Sequence, residues 1–139
     1  MKLLELAKPA AALCKSNTPL SELLNTAPES ARGFVLLLDP RIDQGRILPA
    51  YFNAIVKEQG KIAKAKKPSI EMLLFLCGKS DIAAAIKECG AKTSRKFILF
   101  SSSCKLLKQF EAKERIHEIK RLSLDFDLQK AASVAEVDA

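Results

Sequence analysis

Apolar positions along this chain form two kinds of block: short uninterrupted runs, and longer stretches in which they recur every three or four residues. The clearest run is Phe34-Val35-Leu36-Leu37-Leu38, opened by Gly33 and closed by Asp39-Pro40. Such a run between turn signals predicts a buried strand. Ile70-Glu71-Met72-Leu73-Leu74-Phe75-Leu76-Cys77, bounded by Pro68 and Gly78, predicts a second, and Lys96-Phe97-Ile98-Leu99-Phe100 a third. Ile119 to Leu124 alternates apolar and basic residues, as a half-exposed edge strand does.

The recurring blocks predict helices. Leu48, Tyr51, Phe52, Ile55, Val56, Ile62 and Ala63 share one side of a helix from Ile47 to Lys66. Pro49 is tolerated in its first turn, and Gly60 weakens its interior by roughly 1 kcal/mol relative to Ala. Thr18-Pro19 predicts a short helix capped by Thr18 and ended by Pro28. Ser80 caps a helix from Asp81 to Glu88, closed near Gly90, and Ser102 or Ser103 caps one through Lys113 that turns Leu106, Leu107 and Phe110 inward. A last short helix is expected from Leu128 to Val134, and residues 1–8 read as an edge strand. Together these predict a single layered α/β domain, with α+β left open. Its central sheet, mixed or antiparallel, has about four strands covered by helices. Residues 1–32 form a helical prelude, 33–124 the core, and 125–139 a short helix and tail.

Composition agrees with one ordinary domain. In 139 residues 48% are apolar, and Trp is absent, so aliphatic side chains carry the packing. The net charge is +7, and its placement matters more than its size. Between Lys57 and Lys96 there are ten basic and four acidic residues, so nearly all the excess lies mid-chain. That concentration suits a polyanion, nucleic acid first. Lys57, Lys61 and Lys64 fall on the side of the long helix opposite its apolar stripe, with Lys66 and Lys67 at its end. A solvated helix face is the plain alternative. The cysteines Cys14, Cys77, Cys89 and Cys104 form no short-spaced pair and lie away from His117, so they read as reduced thiols, and no metal is expected. Glu5, Lys8 and Pro9 interrupt the apolar start, and no segment reaches the length of a membrane span. A cytoplasmic protein without a membrane is expected.

Catalytic signatures are missing. Gly78-Lys79-Ser80 has the last letters of a phosphate-binding loop but not its upstream glycine, which excludes a nucleoside-triphosphate site and leaves weak phosphate contact through Lys79. His117 sits among charged residues and reads as solvent-facing. Asp39, Arg41 and Asp43 follow a strand and are candidates for a small enzyme's site; a turn in which Asp39 bonds its own backbone is the plainer reading.

One resemblance joins these pieces. The run Phe34–Asp39, the helix segment Leu48–Ala63 with its Gly60-Lys61-Ile62-Ala63 tetrad, Ile70–Gly78, Asp81–Ile86 and Gly90 together resemble the small tRNA-binding subunit of the KEOPS complex, the PRPK-binding-protein (TPRKB) family, in an archaeal form. The resemblance covers about residues 34–100. It implies a non-catalytic subunit without a cofactor. Such a subunit binds the kinase-like subunit of KEOPS and holds tRNA through its 3′ CCA end, while other subunits install threonylcarbamoyl on an adenosine beside the anticodon. The family's turn reads Gly-x-Arg-Gln-Ile; here it is Gly78-Lys79-Ser80-Asp81-Ile82, so Lys79 offers a point charge in place of a planar fork. Lys57, Lys61, Lys64, Lys66, Lys67 and Lys79 are the expected RNA contacts, with oligomeric state left open. A stand-alone RNA-binding domain outside any complex, and the small enzyme at Asp39, Arg41 and Asp43, are the alternatives.

Overall fold

The computed structural model describes residues 8–30, 33–59 and 67–124, with side chains in the long helix placed as far as Lys57. Five strands form one antiparallel sheet: β1 (Ala10–Lys15), β2 (Glu29–Ser30), β3 (Gly33–Leu38), β4 (Phe97–Ser101) and β5 (His117–Leu122), in the order β2-β3-β4-β1-β5. Five helices cover it: α1 (Leu20–Thr26), α2 (Ile47–Gln59), α3 (Pro68–Cys77), α4 (Ile82–Cys89) and α5 (Cys104–Lys113).

Period-two alternation divides the core. Ala11, Phe34, Leu36, Leu38, Ile98 and Phe100 face α2, α3 and α4; Ala10, Ala12, Cys14, Val35, Leu37, Phe97 and Leu99 face Leu23 of α1 and Leu107 and Phe110 of α5. Helices therefore lie on both sides of an antiparallel sheet. On the first side Tyr51 packs against Phe34 and Phe100, with ring centroids 6.1 and 5.4 Å away. The mixed helix and strand content in one domain agrees with the sequence expectation, and the sheet is the antiparallel alternative.

Three expectations are corrected. Ile70–Cys77 is not a strand but most of α3. Its Pro68 is a helix starter at the first turn rather than a stop, and Gly78, at φ 66°, closes it in the left-handed conformation. The apolar run is continuous because most sides of this helix are covered: Ser69, Glu71, Met72, Leu73, Leu74 and Leu76 are all buried. Second, residues 1–32 are not only a helical prelude, since β1 lies inside the sheet between β4 and β5, in register Ala10↔Ser101 and Lys15↔His117. Third, the caps move by one residue. Pro19 rather than Thr18 precedes α1, while the Thr18 hydroxyl donates to the carbonyl of Glu114 at 3.2 Å. Asp81 rather than Ser80 caps α4, accepting from the Ala83 N–H. Ser103 does cap α5, accepting from Leu106 N–H at 3.1 Å. β5 is the edge strand the alternation predicted. All but the last residue of the strand expected over residues 1–8, the continuation of the long helix from Gly60 to Lys66 and the helix from Leu128 lie outside the described residues. Among the described residues no helix is long and apolar enough to cross a membrane.

Candidate nucleic-acid interface

Of the lysines singled out by sequence, the described residues include Lys57, Lys67 and Lys79. Lys57 turns its Nζ to within 3.3 Å of Glu71, a carboxylate only 2% exposed on α3. Its charge is engaged in pairing a buried acid, which burial would otherwise penalise heavily. Lys67 stands exposed just before α3, and Lys79 just after it. Ten helical residues between them make a separation of about 15 Å. Lys79 lies 3.5 Å from Glu88 on α4, and both side chains stay largely in solvent, so the pair is weak. Lys61, Lys64 and Lys66 lie outside the described residues.

What the fold does gather is the C-terminal end of α3. Arg46, in the single 3-10 turn Gln44–Arg46 ahead of α2, donates to the Phe75 carbonyl at 3.2 Å and lies over the Phe75 ring at 5.9 Å. A guanidinium is favoured there because the last carbonyls of a helix carry partial negative charge. The N–H groups of Gly78 and Lys79 satisfy Phe75 and Leu74 carbonyls and fix the turn. The chain then presents Lys79, Ser80 and Asp81 to solvent, followed by Ile82 and Ile86, 42% and 49% exposed one turn apart on α4. Arg46 escaped sequence reading because its partner is 29 residues away and no local pattern marks it. Cys77 beside this turn is no thiolate, since burial and its neighbour Cys89 push its thiol up to about 12.

Asp39, Arg41 and Asp43 are held in structural bonds. The buried Asp39 accepts from the Arg41 N–H at 2.9 Å and from Nε and Nη2 at 3.1 and 2.8 Å, with Lys92 3.7 Å away. The Arg41 hydrogen bonds outweigh burial and hold the carboxyl at about 2. Asp43 accepts separately from Gly45 N–H, capping the 3-10 turn.

A second charged cluster lies under α5. A register shift between β1 and β5 at Leu13/Cys14 puts Glu118 and Arg121 on the same face, where Arg121 grips Glu118 through two bonds of 2.9 and 3.0 Å. The Cys14 thiol reaches Glu111 at 3.7 Å. Burial, then the neighbouring Glu118, raise Glu111 to about 7.

At the end of β1 the surface is different again. An open pocket of roughly 270 Å³ is lined by Lys15, Ser16, Asn17, Arg95, Arg115 and His117, with no acid among them. Its residues come from three segments separated in sequence, so only the pairing of β1 with β5 reveals it. No family model matches the chain, and no curated protein matches it.

Proposed function

We propose that this protein is a non-catalytic, tRNA-presenting subunit of a KEOPS-type assembly, docking on the kinase-like subunit and taking the single-stranded 3′ CCA end of tRNA. The observation that carries the reading is the exposed turn at the end of α3, where Lys79 follows a helix end that also holds Arg46 and precedes the exposed Ile82 and Ile86 of α4. A free 3′ end offers unpaired base faces and phosphates together. It is bound where apolar surface takes the bases and cations take the backbone. Residues Ile70 to Gly90, which build most of this unit, are among the segments that carry the TPRKB resemblance. Lys79, weakly held by Glu88, supplies a point charge one position before Ser80, which stands where the TPRKB turn carries an arginine.

The test is an electrophoretic shift at low salt with Lys79→Glu and Ile82→Glu. Both exposed substitutions leave the core intact, and each is expected to weaken tRNA binding about tenfold, through the loss of one phosphate contact or one apolar contact with a base and the added negative charge. Co-purification with a kinase-like subunit is expected to survive Lys79→Glu. A domain that binds RNA but brings down no such partner fits the stand-alone alternative, and full tRNA affinity in both variants removes the α3–α4 turn from the interface.

A further inference from the structure

The pocket at the end of β1 shares no residue with the α3–α4 turn, and it gathers several cations without a carboxylate among its lining residues. Arg41, Lys57, Lys79, Lys92 and Arg121 each lie within 4 Å of an acid. Lys15, Arg95 and Arg115 have no ion-pair partner among the described residues, and His117 joins them in the lining. Like charges brought together raise the energy of the fold unless an anion sits between them.

The position of Arg115 sharpens the point. α5 ends as α3 does. The N–H of Ile116 bonds back to the Glu111 carbonyl at 2.8 Å and that of Arg115 to Ala112 at 3.4 Å, as Lys79 bonds to Leu74 and Gly78 to Phe75. The motif needs a left-handed residue just past the helix, and α3 meets the need with glycine at φ 66°. α5 has arginine there at φ 54°. A side chain with a Cβ is disfavoured in that conformation, and backbone strain of this kind collects at functional positions.

The three segments are also fastened to one another. Lys15 and His117 are directly opposed across β1 and β5. Ser16 N–H donates to the Ser94 carbonyl at 2.7 Å, next to Arg95. The Ser16 hydroxyl accepts from Thr18 N–H at 3.0 Å, and the Thr18 hydroxyl in turn holds the Glu114 carbonyl beside Arg115. The backbone that carries the cations is therefore fixed before any ligand arrives, which lowers the cost of binding. Arginine forks with a hydroxyl, an amide and an imidazole beside them suit a tetrahedral oxyanion. At about 270 Å³ the cavity falls below the size of pockets that engulf whole drug-sized ligands and suits one phosphate group.

We infer that this pocket is a phosphate-binding site, taking the phosphate of either a nucleic-acid chain or a free small molecule. It goes beyond the RNA-presenting reading and stands without it.

Two probes separate the sources: inorganic phosphate, and a short single-stranded RNA with or without a 5′ phosphate, each titrated calorimetrically into the full chain at fixed ionic strength. Arg115→Gly removes the guanidinium and restores the residue the turn prefers, so it is expected to raise the melting temperature by about 2–5 °C, less the phosphate-dependent part. The same change, and independently Arg95→Gln, is expected to weaken phosphate binding tenfold or more, whereas Lys105→Gln on the exposed side of α5 leaves it unchanged. Saturable 1:1 phosphate binding with that variant pattern supports the site. RNA that displaces the phosphate identifies a nucleic-acid source, and RNA that does not identifies a small-molecule one. Phosphate binding that fails to saturate, or that Arg115→Gly and Arg95→Gln leave as tight as in the parent, overturns it.

Discussion

Two carboxyls in this fold are held away from their ordinary ionisation in opposite directions. Asp39 sits at about 2 through its Arg41 bonds, against 3.8 for an unhindered aspartate. The unfolded chain binds its proton first on acidification. Asp39 therefore contributes stability that is complete above about pH 4 and lost as the pH falls to about 2. Glu111 is raised from 4.5 to about 7 beside Cys14, Glu118 and Arg121, so the folded state holds the extra proton and stability falls as pH rises between those values. Melting temperatures measured from pH 3 to 8 should show Asp39→Asn costing about 1–3 kcal/mol at neutral pH, through the lost charge-assisted bonds, with a shrinking deficit at low pH. Glu111→Gln should do the reverse, removing the decline between 4.5 and 7. Parallel curves for parent and variant would contradict either assignment.

At the level of elements, α3 shows what a sequence does and does not disclose. An eight-residue apolar run fits a buried strand and a buried helix equally well, because periodicity disappears when nearly every side is covered. The signals that separate the two were present at the ends, in Pro68 and Gly78, and they act only once Pro68 is read as a beginning. β1 was hidden for another reason. Ala10-Ala11-Ala12 has weak strand preference, and the strand exists because β4 and β5 pair with both its edges. β3, β4, the edge character of β5 and the Ser103 cap were all legible locally. The Arg46 contact and the cationic pocket were not, because strand pairing and long-range packing create them.

Two glycines extend this to a prediction. Gly78→Ala places a Cβ in open space but in a left-handed conformation, and should cost about 1 kcal/mol. Gly90 has an ordinary φ, yet a Cβ there would meet the Ile86 carbonyl oxygen at 2.6 Å. Gly90→Ala should therefore cost more, about 1–3 kcal/mol, since backbone must move. Urea midpoints in the opposite order would show that the α4 end is softer than its packing indicates.

Across the whole molecule, one antiparallel sheet separates two packed layers, and β4 contributes to both, with Phe100 to one and Phe97 and Leu99 to the other. Phe100→Ala should cost about 3–5 kcal/mol and destabilise both layers in one cooperative transition. The same architecture leaves the end of α3 and the end of β1 as exposed cationic places, the first followed along the chain by the exposed Ile82 and Ile86 and the second without ion-pair partners among the described residues. The RNA presentation proposed above draws on the first. Its affinity should fall steeply with salt as counterions are released. The most direct measurement compares intact tRNA with the same tRNA trimmed of its 3′ CCA, bound to the full chain alone and with the kinase-like partner proposed for it. The predicted result is a loss of tenfold or more on trimming, matched by Ile82→Glu on intact tRNA. Equal affinity for the two tRNAs, or no binding at low salt in either setting, would contradict it.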